Sequence, residues 1–268
     1  MPIPGGFGTA PTVAVLALSS PSPGVQITVS AMDAGANTVV VYRTDSAGKT
    51  IVRGAANSLV AGPFTCDDFE APIGELLSYT AVTFTVGQVQ SDESPAALLT
   101  LVSTSTWLSD PLVPTTAVSV TVGEFPDRTR DIDASILRPI GSDAGIIVAG
   151  VRGKGSGVLT LVTLALDRLN ALRAVLTSTP IILLRSPYVS WDIGTQFLGV
   201  QGIVERRIGP MAEPARYVAL DVSYVKRPAP AIGGPLHTWD ELKSKGYTWN
   251  ALAAADLTWL QLAQRGGL

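Results

Sequence analysis

Leu76-Leu77-Ser78-Tyr79-Thr80-Ala81-Val82-Thr83-Phe84-Thr85-Val86 is a long run of alternating character. Successive side chains of a strand point to opposite faces, so alternation of this kind predicts a half-buried β-strand. The same reading extends outward in both directions. Upstream lie Val39-Val40-Val41-Tyr42-Arg43, bounded by Gly35 and by Asp45-Ser46-Ala47-Gly48, and Val25, Ile27 and Val29 alternating with Gln26, Thr28 and Ser30. Val13, Val15 and Leu18 open the series, and Ile51-Val52-Arg53, Leu59-Val60 and Leu98-Leu99-Thr100-Leu101 complete it. About seven short strands separated by turn residues predict an all-β sandwich over 1–102.

Beyond it, Ser103 to Leu112 reads as a joint. Further strands are expected at Ala117–Val122, Ile146–Ala149, Val158–Val162, Ile181–Leu184, Phe197–Val200, Gly202–Glu205 and Tyr217–Val222. One segment breaks the β pattern. Leu166, Leu169, Leu172 and Leu176 recur at three- and four-residue steps, with Asp167, Arg168, Asn170 and Arg173 between them. That periodicity predicts an amphipathic helix over about 164–178, and Pro180 forbids its continuation. The order implies a second β domain over 103–228, a curled sheet packed around one helix.

The end of the chain, 229–268, is a Pro/Gly linker followed by a repeat. Thr238-Trp239-Asp240-Glu241-Leu242 returns as Thr248-Trp249-Asn250-Ala251-Leu252 and as Thr258-Trp259-Leu260-Gln261-Leu262. Each Thr suits an N-cap, and Glu241 and Gln261 have capping-box spacing. At roughly 100° per residue a ten-residue period drifts about 80° around one helix, so three short capped helices fit better. Pieces that short are not stable alone. Trp239, Leu242, Trp249, Leu252, Trp259 and Leu262 therefore need cover, either from the chain's own body or from a neighbouring subunit.

Composition bounds the function. The 268 residues are 46% hydrophobic and only 15% charged, below the usual quarter, which leaves a weakly polar surface suited to burial in an assembly. A net charge of −3 gives no general attraction to nucleic acid. One cysteine, Cys66, permits neither an internal disulfide nor a cysteine-based metal site. The N-terminus has no basic segment followed by an apolar run, and no stretch approaches the roughly 18 apolar residues of a membrane span. Neither a signal peptide nor membrane insertion is expected.

Two resemblances sharpen the reading. Tyr79-Thr80-Ala81-Val82, with Ser91-Asp92-Glu93-Ser94-Pro95 downstream, resembles a fibronectin type III domain. That likeness implies a spacer or binding module whose Tyr79 makes a corner by hydrogen bonding back to the backbone. Trp107-Leu108-Ser109-Asp110-Pro111-Leu112, Val151-Arg152-Gly153, Leu183-Leu184-Arg185-Ser186-Pro187, the strand before Lys226-Arg227-Pro228 and the Thr-Trp repeats together resemble minor tail proteins of long-tailed phages of actinobacteria. This second likeness implies a tail-tube or distal-tail-like β-sandwich or split barrel with one packed helix. It implies a non-enzymatic building block of the tail tip or baseplate, assembled in the host cytoplasm into the virion. Its expected partners are copies of itself, as a trimer or hexamer ring, and other tail proteins. The alternative is a carbohydrate-binding adhesin contacting a host-surface glycan.

The search for chemistry returns little, and no catalytic residue, cofactor or metal is expected. His237, the only histidine, lies beside the linker, which excludes a three-histidine zinc site. Gly153-Lys154-Gly155-Ser156-Gly157 lacks P-loop spacing and precedes a strand, so it reads as a hairpin. Asp131-Ile132-Asp133 could share a strand face, but Arg128 and Arg130 favour solvated ion pairing. Asp67, Asp68 and Glu70 read as a solvated loop without EF-hand spacing. Cys66, with acidic neighbours only, reads as inert. Trp107 and Trp191 could stack on sugars, or could pack at the domain joint and on a loop.

Overall fold

The computed structural model describes residues 8–87, 89–125, 127–130, 134–137, 146–149, 153–188, 194–210 and 213–228. The chain is mainly β. Its first part contains β1 (Thr12–Leu18), β2 (Gly24–Ser30), β3 (Thr38–Asp45), β4 (Gly48–Ile51), β5 (Ser58–Leu59), β6 (Phe64–Asp68), β7 (Leu76–Phe84) and β8 (Ala97–Thr100). All pairings are antiparallel. One sheet runs β1-β2-β6; the other runs β4-β3-β7-β8, with β5 on β3. Val25, Ile27 and Val29 of β2, Val39 and Val41 of β3, and Leu77, Tyr79 and Ala81 of β7 share one core between the two sheets. The run that opens the sequence reading is thus the centre of its sheet. β6 escaped notice because Phe64-Thr65-Cys66-Asp67-Asp68 ends in two carboxylates, which weaken the strand signal.

The second part contains β9 (Thr106–Ser109), a 3-10 turn (Pro114–Thr116), β10 (Val118–Glu124), β11 (Ala134–Leu137), β12 (Ile146–Ala149), β13 (Ser156–Thr163), α1 (Leu166–Ser178), β14 (Ile181–Arg185), β15 (Thr195–Arg207) and β16 (Arg216–Tyr224). Six of these strands close into a barrel in the order β10-β13-β16-β15-β14-β9. This corrects the expected sandwich or split barrel. The segment expected to be a joint supplies the closing stave. β9 pairs with β10 through Leu108↔Val118 and with β14 through Leu184↔Leu108. Bulges bend two of the other strands. β10 shifts register around Gly123, where a Cβ would sit 2.9 Å from the Val162 side chain, and β15 shifts at Gln201. That second bulge is why 197–200 and 202–205 read as two strands. They form one.

The helix has the expected place but a rotated face. Leu169, Leu172 and Val175 are buried and Leu176 is partly buried, whereas Leu166 is 55% exposed. These side chains join Leu108, Val118, Leu159, Leu161, Ile182, Leu198, Val218 and Leu220 in one barrel core. Thr179 is extended and precedes Pro180, which disfavours helical backbone at the residue before it. Apart from the barrel, β11 and β12 form a two-stranded sheet in the register Ala134↔Ala149 to Leu137↔Ile146.

Candidate functional site

β14 decides how the two parts meet. Ile182 and Leu184 point into the barrel, so Leu183 and Arg185 face outward. Yet Leu183 is 1% exposed and Arg185 is 0% exposed. A strand covered on both faces reads as a continuous apolar run, which Ile181-Ile182-Leu183-Leu184 is. Arg185 shows what covers it. Its guanidinium donates to the Pro23 carbonyl at 2.6 Å, the Ser22 hydroxyl at 2.8 Å and the Ala71 carbonyl at 3.3 Å, all in the first part of the chain. Burial drags its pKa down to about 10.

A second arginine from the barrel side completes the joint. Arg227, just past β16, donates from Nε to Glu70 at 2.6 Å and from its terminal nitrogen to the Ile51 carbonyl at 2.8 Å. Glu70 also accepts from Arg53 Nε at 2.6 Å, and Arg53 reaches the Pro228 carbonyl at 3.1 Å. Glu70, 3% exposed, therefore sits between two guanidiniums, one from each part. The carboxylate bridges the two, with one oxygen for each arginine, and both hydrogen bonds are charge-assisted.

Asp68 supports this layer from beneath. Its Oδ2 accepts from Arg43 at 2.8 Å and from the Tyr79 hydroxyl at 3.2 Å, and its Oδ1 accepts from the Glu70 backbone N–H at 2.9 Å. Burial alone would raise the Asp68 carboxyl. The Arg43 charge and hydrogen bond overcome that and hold it below the usual carboxylate range. Burial also opposes the Arg43 charge, but Asp68 and then Asp45, at 2.9 Å, raise its pKa in balance. Burial and then the Asp68 charge push the Tyr79 phenol well up. The Tyr79 hydroxyl thus turns to a side-chain carboxylate and not to the backbone carbonyl that the resemblance implies.

Asp68 and Glu70 accordingly correct the expectation of a solvated loop: both are buried, and only Asp67 of that group is exposed. The signal lay in arginines scattered far apart in sequence, at 43, 53, 185 and 227, with no local spacing to reveal them. Beside the joint, Arg43, Glu75, Lys154, Gln196, Tyr224 and Arg227 contribute to a cleft of about 290 Å³ with both signs of charge.

Other expected features fall as follows. Two of the stretches that carried the tail-protein likeness, around Leu108 and around Leu184, are antiparallel neighbours in β9 and β14. Ser91 and Ser94 lie along β7, their hydroxyls accepting from Thr83 N–H at 3.0 Å and Ala81 N–H at 2.9 Å. Cys66 packs against the first core, and burial with Asp68 and Asp67 pushes its thiol up to about 12. The Trp107 indole donates to the Ser103 hydroxyl at 3.2 Å and is partly buried at the joint. Arg128 lies over the Tyr224 ring at 4.6 Å. Gly153–Gly155 is a loop entering β13. Among the described residues, no group of three or more His, Cys, Asp or Glu side chains could hold a metal ion, and no helix is long and apolar enough to cross a membrane. Asp131, Asp133, Trp191 and His237 lie outside the described residues, as do Trp239, Leu242, Trp249, Leu252, Trp259 and Leu262.

No protein-family model matches the sequence, and no curated protein or solved structure does either.

Proposed function

We propose that this chain is a structural component of a phage tail tip or baseplate, a fibronectin type III-like module followed by a tail-tube or distal-tail-like barrel. It works by assembling into a three- or sixfold ring with copies of itself and with other tail proteins. The three-strand sheet β1-β2-β6 facing β4-β3-β7-β8 supports the first assignment, and the barrel with a single helix packed by one face on its core supports the second.

The observation that carries the reading is the joint. A module tethered to capture a ligand needs only a flexible linker. Here Arg185, Arg227, Arg53 and Glu70 tie the two parts with short, desolvated hydrogen bonds. Stiff coupling suits a part that holds its shape under load in an assembly. The weakly charged composition and the exposed Leu16, Leu76, Leu98, Val102 and Val158 suit one whose surface is covered by neighbours.

Negative-stain microscopy and light scattering on the purified chain test it. Rings of three- or sixfold symmetry with an open centre are expected. Single copies at the highest attainable concentration would overturn it, and glycan-array binding by those single copies would favour the adhesin.

A further inference from the structure

Where β9 stops, β10 runs on. β9 pairs with β10 only from Val118 to Val120, while β10 continues beside β13 to Glu124. A cavity of about 620 Å³ opens there. Its walls are β10, Thr104–Thr106 at the entry to β9, Val162–Ala165 at the turn from β13 into α1, Arg168 on the helix and Tyr188 after β14. That size suits a small-molecule ligand.

The polar groups of this cavity are held in place. Val118 and Val120 lie in the barrel core and Val122 packs against it, so strict alternation would send residue 124 inward too. The bulge at Gly123 prevents that. Glu124 comes to lie opposite Thr160, which alternates with the core residues Leu159 and Leu161. A one-residue shift moves a side chain to the other face, so the bulge turns Glu124 outward, exposed on the cavity wall. Arg168 donates to the Ser119 hydroxyl on the same strand. Behind the wall, Ser186 is 0% exposed, and its hydroxyl accepts from the Thr106 hydroxyl and the Tyr188 N–H, each at 3.3 Å. Tyr188 is 42% exposed beside the opening.

The lining selects a class of ligand. Glu124 and Arg168 are its charged side chains, and their charges cancel. A phosphate or nucleotide site gathers arginines and lysines instead. Thr104, Ser105, Thr106, Ser119, Thr121 and Thr163 bring hydroxyls, each able to donate and to accept. A sugar ring matches such walls, with hydroxyls around its edge and C–H groups on its faces. Those faces need an aromatic surface, and Tyr188 supplies one. Sugar stacking was expected of Trp107, but its indole is tied to Ser103 and lies outside this lining.

We infer that this cavity binds an uncharged saccharide, one ring seated against Tyr188 and its hydroxyls on Glu124 and the Ser/Thr wall. Every group belongs to one copy of the chain. The inference therefore goes beyond the assembly reading and does not rest on it.

Saturation-transfer NMR and calorimetry on the full chain test it. The probes are the methyl glycosides of glucose, galactose, mannose and N-acetylglucosamine, then maltose and lactose, with inorganic phosphate as the charged comparison. At least one saccharide is expected to bind, and phosphate is not. Tyr188→Ala and Glu124→Ala remove exposed side chains, so Tm should hold while each weakens that saccharide about tenfold. Thr121→Trp fills the cavity from an exposed wall position and should abolish binding. Failure of every saccharide, binding that all three variants leave unchanged, or tighter binding of phosphate would each overturn the site. Light scattering of the same samples reads assembly separately. Single copies that bind the saccharide would refute the ring and keep this site; rings that bind none would refute the site and keep the ring.

Discussion

Asp68→Asn is the most exacting test of the joint, because it changes charge and almost no volume. Asp68 accepts three hydrogen bonds, from Arg43, Tyr79 and the Glu70 N–H, and is 1% exposed. An amide has one acceptor oxygen and one donor nitrogen. If its oxygen faces the Glu70 N–H, its NH2 faces the Arg43 guanidinium; if it flips, the NH2 faces the Glu70 N–H. Either way two donors confront each other, and in the first orientation Arg43 keeps only Asp45. Removing one partner of a buried ion pair costs about 3–5 kcal/mol. In a chain of this size that lowers Tm by roughly 10 °C.

The loss should also depend on pH in a definite sense. The folded protein holds the Asp68 carboxyl below its unfolded value of about 3.9, so it binds fewer protons there than the unfolded chain. The stabilisation is fully present above that pH and drains away as pH falls through the lower folded value. Urea titrations of both proteins from neutral pH into acid measure this. The gap should be widest at neutral pH and should narrow in acid, where the unaltered protein becomes protonated too. A gap below about 1 kcal/mol at neutral pH, within the range of surface pairs, would refute the buried network.

Three further outcomes follow from the same geometry. Glu70→Gln removes the charge, leaves one acceptor oxygen for two guanidiniums and turns an NH2 toward the other, so a loss of about 3 kcal/mol is expected, with calorimetry resolving two transitions where the joined protein shows one. Leu172→Ala, at 1% exposure in the barrel core, should cost about 2–5 kcal/mol by chemical denaturation; a smaller loss would mean that the helix only lies on the barrel. The Cys66 thiol, pushed up to about 12, should react with an aromatic disulfide near pH 8 only slowly until denaturant unfolds the first core, and rapid native labelling would contradict its burial.

The β class, most strands and the single helix were legible because period-two and period-3.6 patterns are local. What was missed was non-local. β9 passed for a linker because Thr106-Trp107-Leu108-Ser109 is short, and its role appears only when β10 and β14 flank it. The helix face was read one turn too early. The even spacing of leucines drew in Leu166, while the core recruited Val175. Asp68 and Glu70 looked solvated because acidic residues in a loop usually are. Their arginine partners arrive from 25 and 157 residues away along the chain.

That misreading bears on composition. With only 19 basic and 22 acidic residues in 268, the chain is already poor in charge. Arg43, Asp45, Arg53, Asp68, Glu70, Arg185 and Arg227 are then drawn into the joint, where their side chains are mostly or wholly covered. The surface is left with less charge than composition suggests, yet it carries exposed Leu16, Leu76, Leu98, Ile203 and Val204. Burying ions usually adds little stability compared with well-packed apolar residues, so stability alone does not account for this choice. Directional donors do something apolar contacts do not: they fix one relative orientation. A protein that, as proposed, meets its neighbours at a set angle has a use for that. A joint repacked with Met and Leu at 185, 227, 53 and 70 should therefore keep its stability and lose the proposed assembly.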